Sequence, residues 1–283
     1  MTLWAFWPYF AKDLPDSPTV ERVNCASHHS QVILTKQMTQ FDYNLSIMGL
    51  ISIRYSHCMT TTIHLKVHGD TTVRGLVERE IRSGRLRDHL YLLSMDEGTL
   101  SPDDVCRYIG QYRYFVAKIP WMLADLVDRL PGGPARDYVA KNLEAELMDP
   151  TRLEIYDECA STIGVGHAEI SMGMMNLLAT YDSIFESSDA AAAAALLSHE
   201  YQSPELARAV ASGVRHTFGE RSPATGYWDL AVGRDTLHSR WLFDGINTMA
   251  STEGELRRGV RTAITAWRGF FDEQLVASMD LAS

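Results

Sequence analysis

Two residues in the carboxyl-terminal part of the sequence, Asp235 and His238, could act together on a metal ion. They lie three positions apart in the stretch GRDTLHSRW, within a segment that has the apolar spacing of a helix. On a helix, this spacing places a carboxylate and an imidazole on one face, about one turn apart, where both can reach one ion. One turn earlier on that face stands Ala231, which offers no ligand atom. The pair is therefore half of a metal site, the remnant of a complete one, or a surface ion pair.

A bundle of long helices is the framework that must position these residues. The first long segment begins at Ser101, a predicted helix cap, with Pro102 at the first helical position and Asp104 three residues after the cap. Pro120 is expected to kink this helix, and the last segment opens with the capping pattern TEGE at Thr252. The segments that follow the first cover residues 134–149, 150–164, 167–187, 189–219, 226–250 and 252–279. No alternating strand pattern competes with them, so we predict an all-α fold, a single bundle of about seven helices.

The first 71 residues differ in composition from the rest of the chain. They mix Trp, Pro, Cys and His without a sustained period, and ISIRYSHCMTTTIHLKVHGD is closer to strand or coil than to helix. Either this segment is a genuine extension that packs on the bundle, or translation begins at Met59 and the first 58 residues are an artefact of the assigned start. We favour the second interpretation. The predicted organisation is an amino-terminal extension over residues 1–71 and a helical domain over residues 72–283.

Composition and charge exclude several classes of function. The formal net charge of -10 at pH 7 argues against a nucleic-acid-binding protein, which would need a basic face. The four cysteines lie far apart with no CxxC pair, as expected for reduced thiols in the cytoplasm. The most apolar run, ISMGMMNLLA, is about half the roughly 20 residues needed to cross a bilayer, and the amino terminus lacks a signal-peptide pattern. We expect a soluble cytoplasmic protein with neither a nucleic acid nor a membrane as partner.

Four stretches of the sequence follow the motif order of one protein superfamily. They are YIGQYRYFVAKIPWMLADLVDRLP, NLEAELMDPTRLEIYDECASTIG, ALLSHEYQSPELARAVASGVRHTFG and GYWDLAVGRDTLHSRWL. Together they resemble the haem-oxygenase-like di-iron oxidases and their relatives of the TenA and PqqC type, also described as the iron-containing redox enzyme family. The resemblance runs from about residue 100 to residue 275. It implies a haem-oxygenase-like bundle, and it implies an activity less directly, because one fold hosts many functions.

The metal ligands of this family match the sequence at three positions. The resemblance places Glu200 on a ligand glutamate, and it places Asp235 and His238 on the last two residues of the family pattern H-x3-D-x2-H. Two carboxylates and one neutral imidazole form a facial set that suits Fe(II) and leaves positions open for dioxygen and substrate. The implied cofactor is one Fe(II) ion per chain, with dioxygen as co-substrate.

The second metal site of the family is altered in this sequence. The first histidine of the triad is replaced by Ala231, and an earlier histidine is replaced by Arg152. The family's first glutamate falls on Ala145, between Glu144 and Glu146, and we take Glu146 as an additional candidate ligand. If both glutamates turned inward, they would rescue a second, oxygen-rich site.

Arg152 and Gln111 are the candidate catalytic residues outside the metal ligands. A guanidinium cannot ligate iron, but it can form a bidentate pair with Glu146, with Glu144 or with a substrate carboxylate. The alternative is a surface arginine that follows a helix cap. Gln111, on the first long helix, either orients the substrate or fills the core with a hydrogen bond.

The resemblance implies an oxygen-dependent, non-haem iron oxidoreductase that acts on a small amino-acid-like or carboxylate-bearing metabolite in a biosynthetic pathway. Two alternatives remain open. One is a metal-free enzyme of the TenA or PqqC type, and the other is a non-catalytic binding or regulatory member that kept the bundle. The expected partner is a small-molecule substrate, and a homodimer is left open.

Overall fold

Nine α-helices and no strand are found in the part of the chain that the computed structural model describes, residues 72–280. The helices are α1 (Val73–Ser83), α2 (Leu90–Asp96), α3 (Pro102–Arg129), α4 (Pro134–Glu146), α5 (Arg152–Ser161), α6 (Met172–Ser187), α7 (Asp189–Phe218), α8 (Gly226–Ile246) and α9 (Glu253–Asp280). The prediction of an all-α fold is confirmed. Helices α3 to α9 correspond to the seven predicted segments, and α1 and α2 come in addition. The predictions for residues 1–71, including a start at Met59, lie outside the described residues.

Capping side chains fix where several of these helices begin. The hydroxyl of Ser101 accepts a hydrogen bond from the backbone N–H of Asp104, and the Asp104 carboxylate accepts one from the Ser101 N–H. This reciprocal pair is the predicted capping box of α3. Thr252 and Glu255 form the same pair at the start of α9, as the TEGE pattern predicts. Ser171 caps α6, so this helix begins later than its apolar spacing predicts.

The junction between α4 and α5 is the boundary that matters most for the site. Helix α4 ends at Glu146 and α5 begins at Arg152, so residues 147–151 form a turn, which is longer than the predicted break between residues 149 and 150. Thr151 caps α5 through a second capping box, with Glu154 as its partner. The turn brings the last side chain of α4 next to the first side chain of α5.

Helix α7 is the element around which the other helices pack. Its most extensive contacts are with α8 and α9, and it also packs on α2, α6 and α3. Its first turns consist of six alanines, residues 190–195, and all of them are buried. Helix α9 approaches this stretch closely at Gly259, where a Cβ would lie 2.2 Å from the carbonyl oxygen of Ala191. The middle of α7, including Glu200, therefore lies inside the bundle.

Aromatic side chains fill the core between α3 and α9. Tyr112 and Phe115 of α3 pack against Trp267 of α9 with ring centroids 5.9 and 4.7 Å apart. Helix α3 remains continuous through Pro120. In residues 72–280, no helix is long and apolar enough to cross a membrane.

Candidate metal centre

Five buried polar side chains from four helices meet inside the bundle, and we call them the buried polar cluster. Helices α4, α5 and α7 contribute one side chain each, and α8 contributes two. Each of the five residues is at most 4% exposed. The members are Glu146, Arg152, Glu200, Asp235 and His238.

The structure brings the three predicted metal ligands together. Ala231, Asp235 and His238 are buried at helical spacing along α8, so the face identified from the sequence is the face that points inward. Glu200 meets this face because α7 and α8 pack along each other. One ligand atom of each of Glu200, Asp235 and His238 lies within 4.8 Å of the other two. The interpretation of Asp235 and His238 as a surface ion pair is wrong, since both are buried.

Arg152 is a buried cation that connects α5 to its neighbours. Its Nε donates a hydrogen bond to the hydroxyl oxygen of Tyr227 at 3.0 Å, and its Nη1 donates to Oε1 of Glu146 at 2.8 Å. Its Nη2 lies 2.6 Å from Oδ1 of Asp235, as an ion pair without the alignment of a hydrogen bond. The interpretation of Arg152 as a surface residue is wrong, and its pairing with Glu146 is observed. Each of the three nitrogens faces a group of the chain itself.

The two glutamates near the end of α4 point in different directions. Glu146 is buried beside Arg152, whereas Glu144 is exposed. Because consecutive residues of a helix are turned by about 100°, residues two positions apart face nearly opposite sides. The oxygen-rich second site that would need both glutamates is therefore not formed.

His238 faces carboxylates from two helices. Its Nδ1 lies 3.5 Å from Oε1 of Glu146 and 3.6 Å from Oε2 of Glu200. The imidazole stacks on the ring of Trp241, one turn further along α8, with centroids 5.8 Å apart. These contacts hold the imidazole between the two acidic side chains.

Sequence reasoning missed two residues that support the cluster. Ser203 lies on α7 one turn after Glu200, and its hydroxyl donates a hydrogen bond to Oδ2 of Asp235. Tyr227 lies on α8 one turn before Ala231, and its hydroxyl accepts the bond from Arg152. The available signal was the helical spacing of each residue from a candidate ligand, although this spacing does not distinguish a supporting hydroxyl from an ordinary core residue.

The environment shifts the pKa values of the candidate ligands in different directions. Burial raises the pKa of Asp235, although Arg152 opposes this effect. Burial also disfavours the charged form of Glu200, but the imidazoles of His199 and His238 outweigh it and hold the pKa of Glu200 well below its ordinary value. Burial alone would lower the pKa of His238, and the neighbouring Glu200 outweighs burial and raises it. The cluster therefore places an ionised glutamate beside an imidazole that binds protons readily.

The buried polar cluster carries an excess of negative charge. Three carboxylates face one guanidinium, so the formal charge is minus two when His238 is neutral. Such charge is costly inside a protein unless a counter-charge accompanies it. In addition, Oε2 of Glu146 and Oε2 of Glu200 are buried without a hydrogen bond from any residue in the described part of the chain. These free oxygens and a donor set of two carboxylates and one imidazole fit a divalent transition-metal ion.

Gln111 is bound to the backbone away from the cluster's five side chains. Its side-chain nitrogen donates to the carbonyl oxygen of Glu169, and its side-chain oxygen accepts from the N–H of Ser171, both at 2.7 Å. These bonds fasten the loop before α6 to α3. Of the two roles predicted for Gln111, the structure shows the hydrogen bond within the core.

Comparisons with known proteins identify the fold. No protein-family model matches the sequence, and no curated protein matches it. Solved structures with a similar fold include a CADD-like protein of unknown function from Nostoc punctiforme, with 14% identity and a TM-score of 0.64 over 73% of this chain and 98% of that chain. A TenA homologue from Pseudomonas syringae pv. tomato has 14% identity and a TM-score of 0.60 over 72% of this chain and 93% of that chain.

A third similar structure carries a different description. It is a TenA family transcription regulator from Silicibacter sp., with 14% identity and a TM-score of 0.56 over 72% of this chain and 94% of that chain. Likenesses at this level of identity concern the fold and not the activity. The described part of the chain, residues 72–280, therefore has an all-helical, TenA-like fold.

Proposed function

We propose that the buried polar cluster binds one Fe(II) ion through Glu200, Asp235 and His238, and that the protein is an oxygen-dependent oxidoreductase. The proposed substrate is a small metabolite that carries a carboxylate. The observation that carries the proposal is the excess of buried negative charge. With His238 neutral, as a metal ligand must be, a divalent cation would bring this charge from minus two to zero. When bound, Fe(II) supplies one-electron chemistry toward dioxygen.

Neighbouring side chains hold the three proposed ligands in place. The Ser203 hydroxyl donates to Oδ2 of Asp235, and Oδ1 lies 2.6 Å from Nη2 of Arg152, so two neighbours orient this carboxylate. The Trp241 ring supports the imidazole of His238 from one side. Partners of this kind orient metal ligands and tune their basicity, so they are part of the proposed site.

Arg152 limits the proposed site to a single ion. Its guanidinium lies between Glu146 and Asp235, where a second cation would otherwise balance the charge. Since its three nitrogens face groups of the chain, we assign Arg152 a positioning role and not the binding of substrate. This assignment replaces the sequence-based prediction that Arg152 and Gln111 orient the substrate.

A metal-free enzyme or a non-catalytic regulatory member of the fold is the second candidate. It is favoured by the hydrogen bonds of Arg152 to Glu146 and Tyr227, which form without an ion. One of the similar structures is also described as a transcription regulator. The excess negative charge around Glu200 and His238 favours the metal-binding proposal over this candidate.

Anaerobic Fe(II) titration of the full chain tests the proposal. After desalting, elemental analysis is expected to find about one iron per chain, and addition of oxygen is expected to change the optical spectrum. His238→Ala removes one of three ligands and should leave the protein nearly free of iron. The matched control is His167→Ala, at an exposed position before α6, which should keep the iron.

Two outcomes would contradict the proposal in different ways. About two irons per chain would show that Arg152 does not occupy the place of a second ion. No iron in the wild-type protein would favour the metal-free or non-catalytic candidate.

A further inference from the structure

Arg234, at the edge of the buried polar cluster, is a cation that forms no ion pair with any carboxylate among residues 72–280. It lies on α8 directly before Asp235 and is half-buried. Its Nη1 atom is buried and has no hydrogen-bond partner among residues 72–280. An arginine stays charged under all ordinary conditions, so it cannot avoid this situation by losing a proton.

The carboxylates near Arg234 are already paired with a different arginine. The Arg234 guanidinium lies within electrostatic reach of Glu146 and Asp235, but Arg152 contacts both of these carboxylates. Arg234 therefore faces a second cation while its own buried donor lacks an acceptor. A buried charged donor without an acceptor is unfavourable, so this position is suited to an anion that comes from outside the chain.

The summed charge of the buried polar cluster and Arg234 indicates how many negative charges this anion carries. Glu146, Glu200 and Asp235 contribute minus three, and Arg152 and Arg234 contribute plus two. The buried polar cluster alone sums to minus two with His238 neutral, a divalent cation brings it to zero, and the positive charge of Arg234 at its edge is then left over. A monoanion then brings the group to neutrality, whereas a dianion such as phosphate would exceed it.

We propose that Arg234 binds the carboxylate of a monoanionic small molecule beside the metal ion. This inference rests on the proposed function and names the residue that recognises the substrate. A guanidinium presents a planar pair of donors that matches the two oxygens of a carboxylate. Arg234 is only half-buried, so part of its side chain meets solvent, and its Nη1 is the donor that lacks an acceptor among residues 72–280.

Binding of trifluoroacetate to the Zn²⁺-loaded full chain, followed by fluorine NMR, tests the inference. Wild-type protein should bind this monocarboxylate at a saturable site, and Arg234→Gln should weaken binding at least about tenfold because it removes the charge and the fork of donors. Arg234→Lys keeps the charge without the planar pair of donors, so its affinity for trifluoroacetate should lie between those of wild-type protein and Arg234→Gln. The matched control is Arg240→Gln, at an exposed position on the same helix, which should leave the affinity unchanged.

The contrary outcomes are distinct for the two proposals. Equal affinities of wild-type protein and Arg234→Gln, or no trifluoroacetate binding by wild-type protein that has bound Zn²⁺, would overturn the inference and leave the metal site standing. If inorganic phosphate, followed by phosphorus NMR, bound more tightly than trifluoroacetate, the assignment of a monocarboxylate would be overturned. Failure to bind Zn²⁺ in calorimetry would overturn the proposed function, and the inference about Arg234 with it.

Discussion

The buried polar cluster has two halves that share Asp235 and differ in what balances their negative charge. In the half around Glu146, the guanidinium of Arg152 supplies the positive charge through contacts of 2.6 and 2.8 Å. In the half around Glu200 and His238, Glu200 pairs with no lysine or arginine of residues 72–280, so a proton on an imidazole or an external cation would supply the positive charge. The folded chain itself supplies the positive charge in the first half, whereas the charge balance of the second half depends on protons or cations from the solution.

This difference shows how an arginine can take the place of an ion. A guanidinium has a fixed charge, cannot be removed by a chelator and does not change oxidation state. It therefore gives the first half permanent charge balance but no redox chemistry. Whatever metal chemistry the cluster performs must belong to the second half.

The largest expected effect comes from removing the fixed cation. Arg152→Met leaves Glu146 and Asp235 buried without a positive partner, and breaking a buried pair in this way costs roughly 3–5 kcal/mol. Urea unfolding at neutral pH with a chelator present measures the loss. The control is Arg113→Met, which breaks a partly exposed pair with Asp157 and should cost about 1 kcal/mol or less. Equal losses in the two variants would show that the first half does not depend on its cation.

An intermediate effect is expected when a cation is supplied to the second half. Zn²⁺, a redox-inert substitute for Fe(II), should raise the free energy of unfolding by about 2.7 kcal/mol at about 100 times its dissociation constant. Glu200→Gln should lose most of this gain, whereas Glu144→Gln, at an exposed position on α4, should keep it. Thermal unfolding with and without Zn²⁺ measures the gain. The same gain in Glu200→Gln would place the ion outside the second half.

The smallest expected effect is a dependence of metal affinity on pH. The pKa values of His238 and Asp235 are raised, so both groups bind protons more readily than free side chains do. A ligand must release its proton before it binds the metal, and the affinity for Zn²⁺ is therefore expected to fall as the pH falls. The expected change is about tenfold per pH unit for each proton displaced, first as the pH falls below the raised pKa of His238 and additionally below about pH 6, where Asp235 takes up its proton. Calorimetry in buffers of different ionisation enthalpy counts the protons, and a constant affinity would exclude His238 as a ligand.

Local signals in the sequence predict the helices and the inward face of α8. The capping pairs that open α3 and α9 are formed within four consecutive residues, so they can be read without knowing the fold. The spacing of Asp235 and His238 depends only on the geometry of one helix. For these features, the sequence and the structure agree because no contact between distant segments is involved.

Contacts between helices could not be predicted in the same way. The choice between Glu144 and Glu146 depends on how α4 is rotated against its neighbours, and one residue corresponds to about 100° of rotation. The hydroxyl groups of Ser203 and Tyr227 reach their partners across helix pairs, 32 and 75 residues away in the sequence. The sequence leaves the role of Gln111 open for a similar reason, because its backbone partners lie on a loop that is distant in the sequence.

The alanines at the start of α7 set the rotation of the helix as well as its close packing. The cap at Ser188 fixes the beginning of the helix, Ala191 fixes its distance from α9, and Glu200 follows in the same helix. One added alanine would leave the helix propensity and the apolar character of the run almost unchanged. It would nevertheless turn Glu200 by about 100° and shift it by about 1.5 Å relative to the cap. The number of alanines is therefore constrained as tightly as the identity of the glutamate, because the length of this stretch sets the position and direction of Glu200 in the cluster.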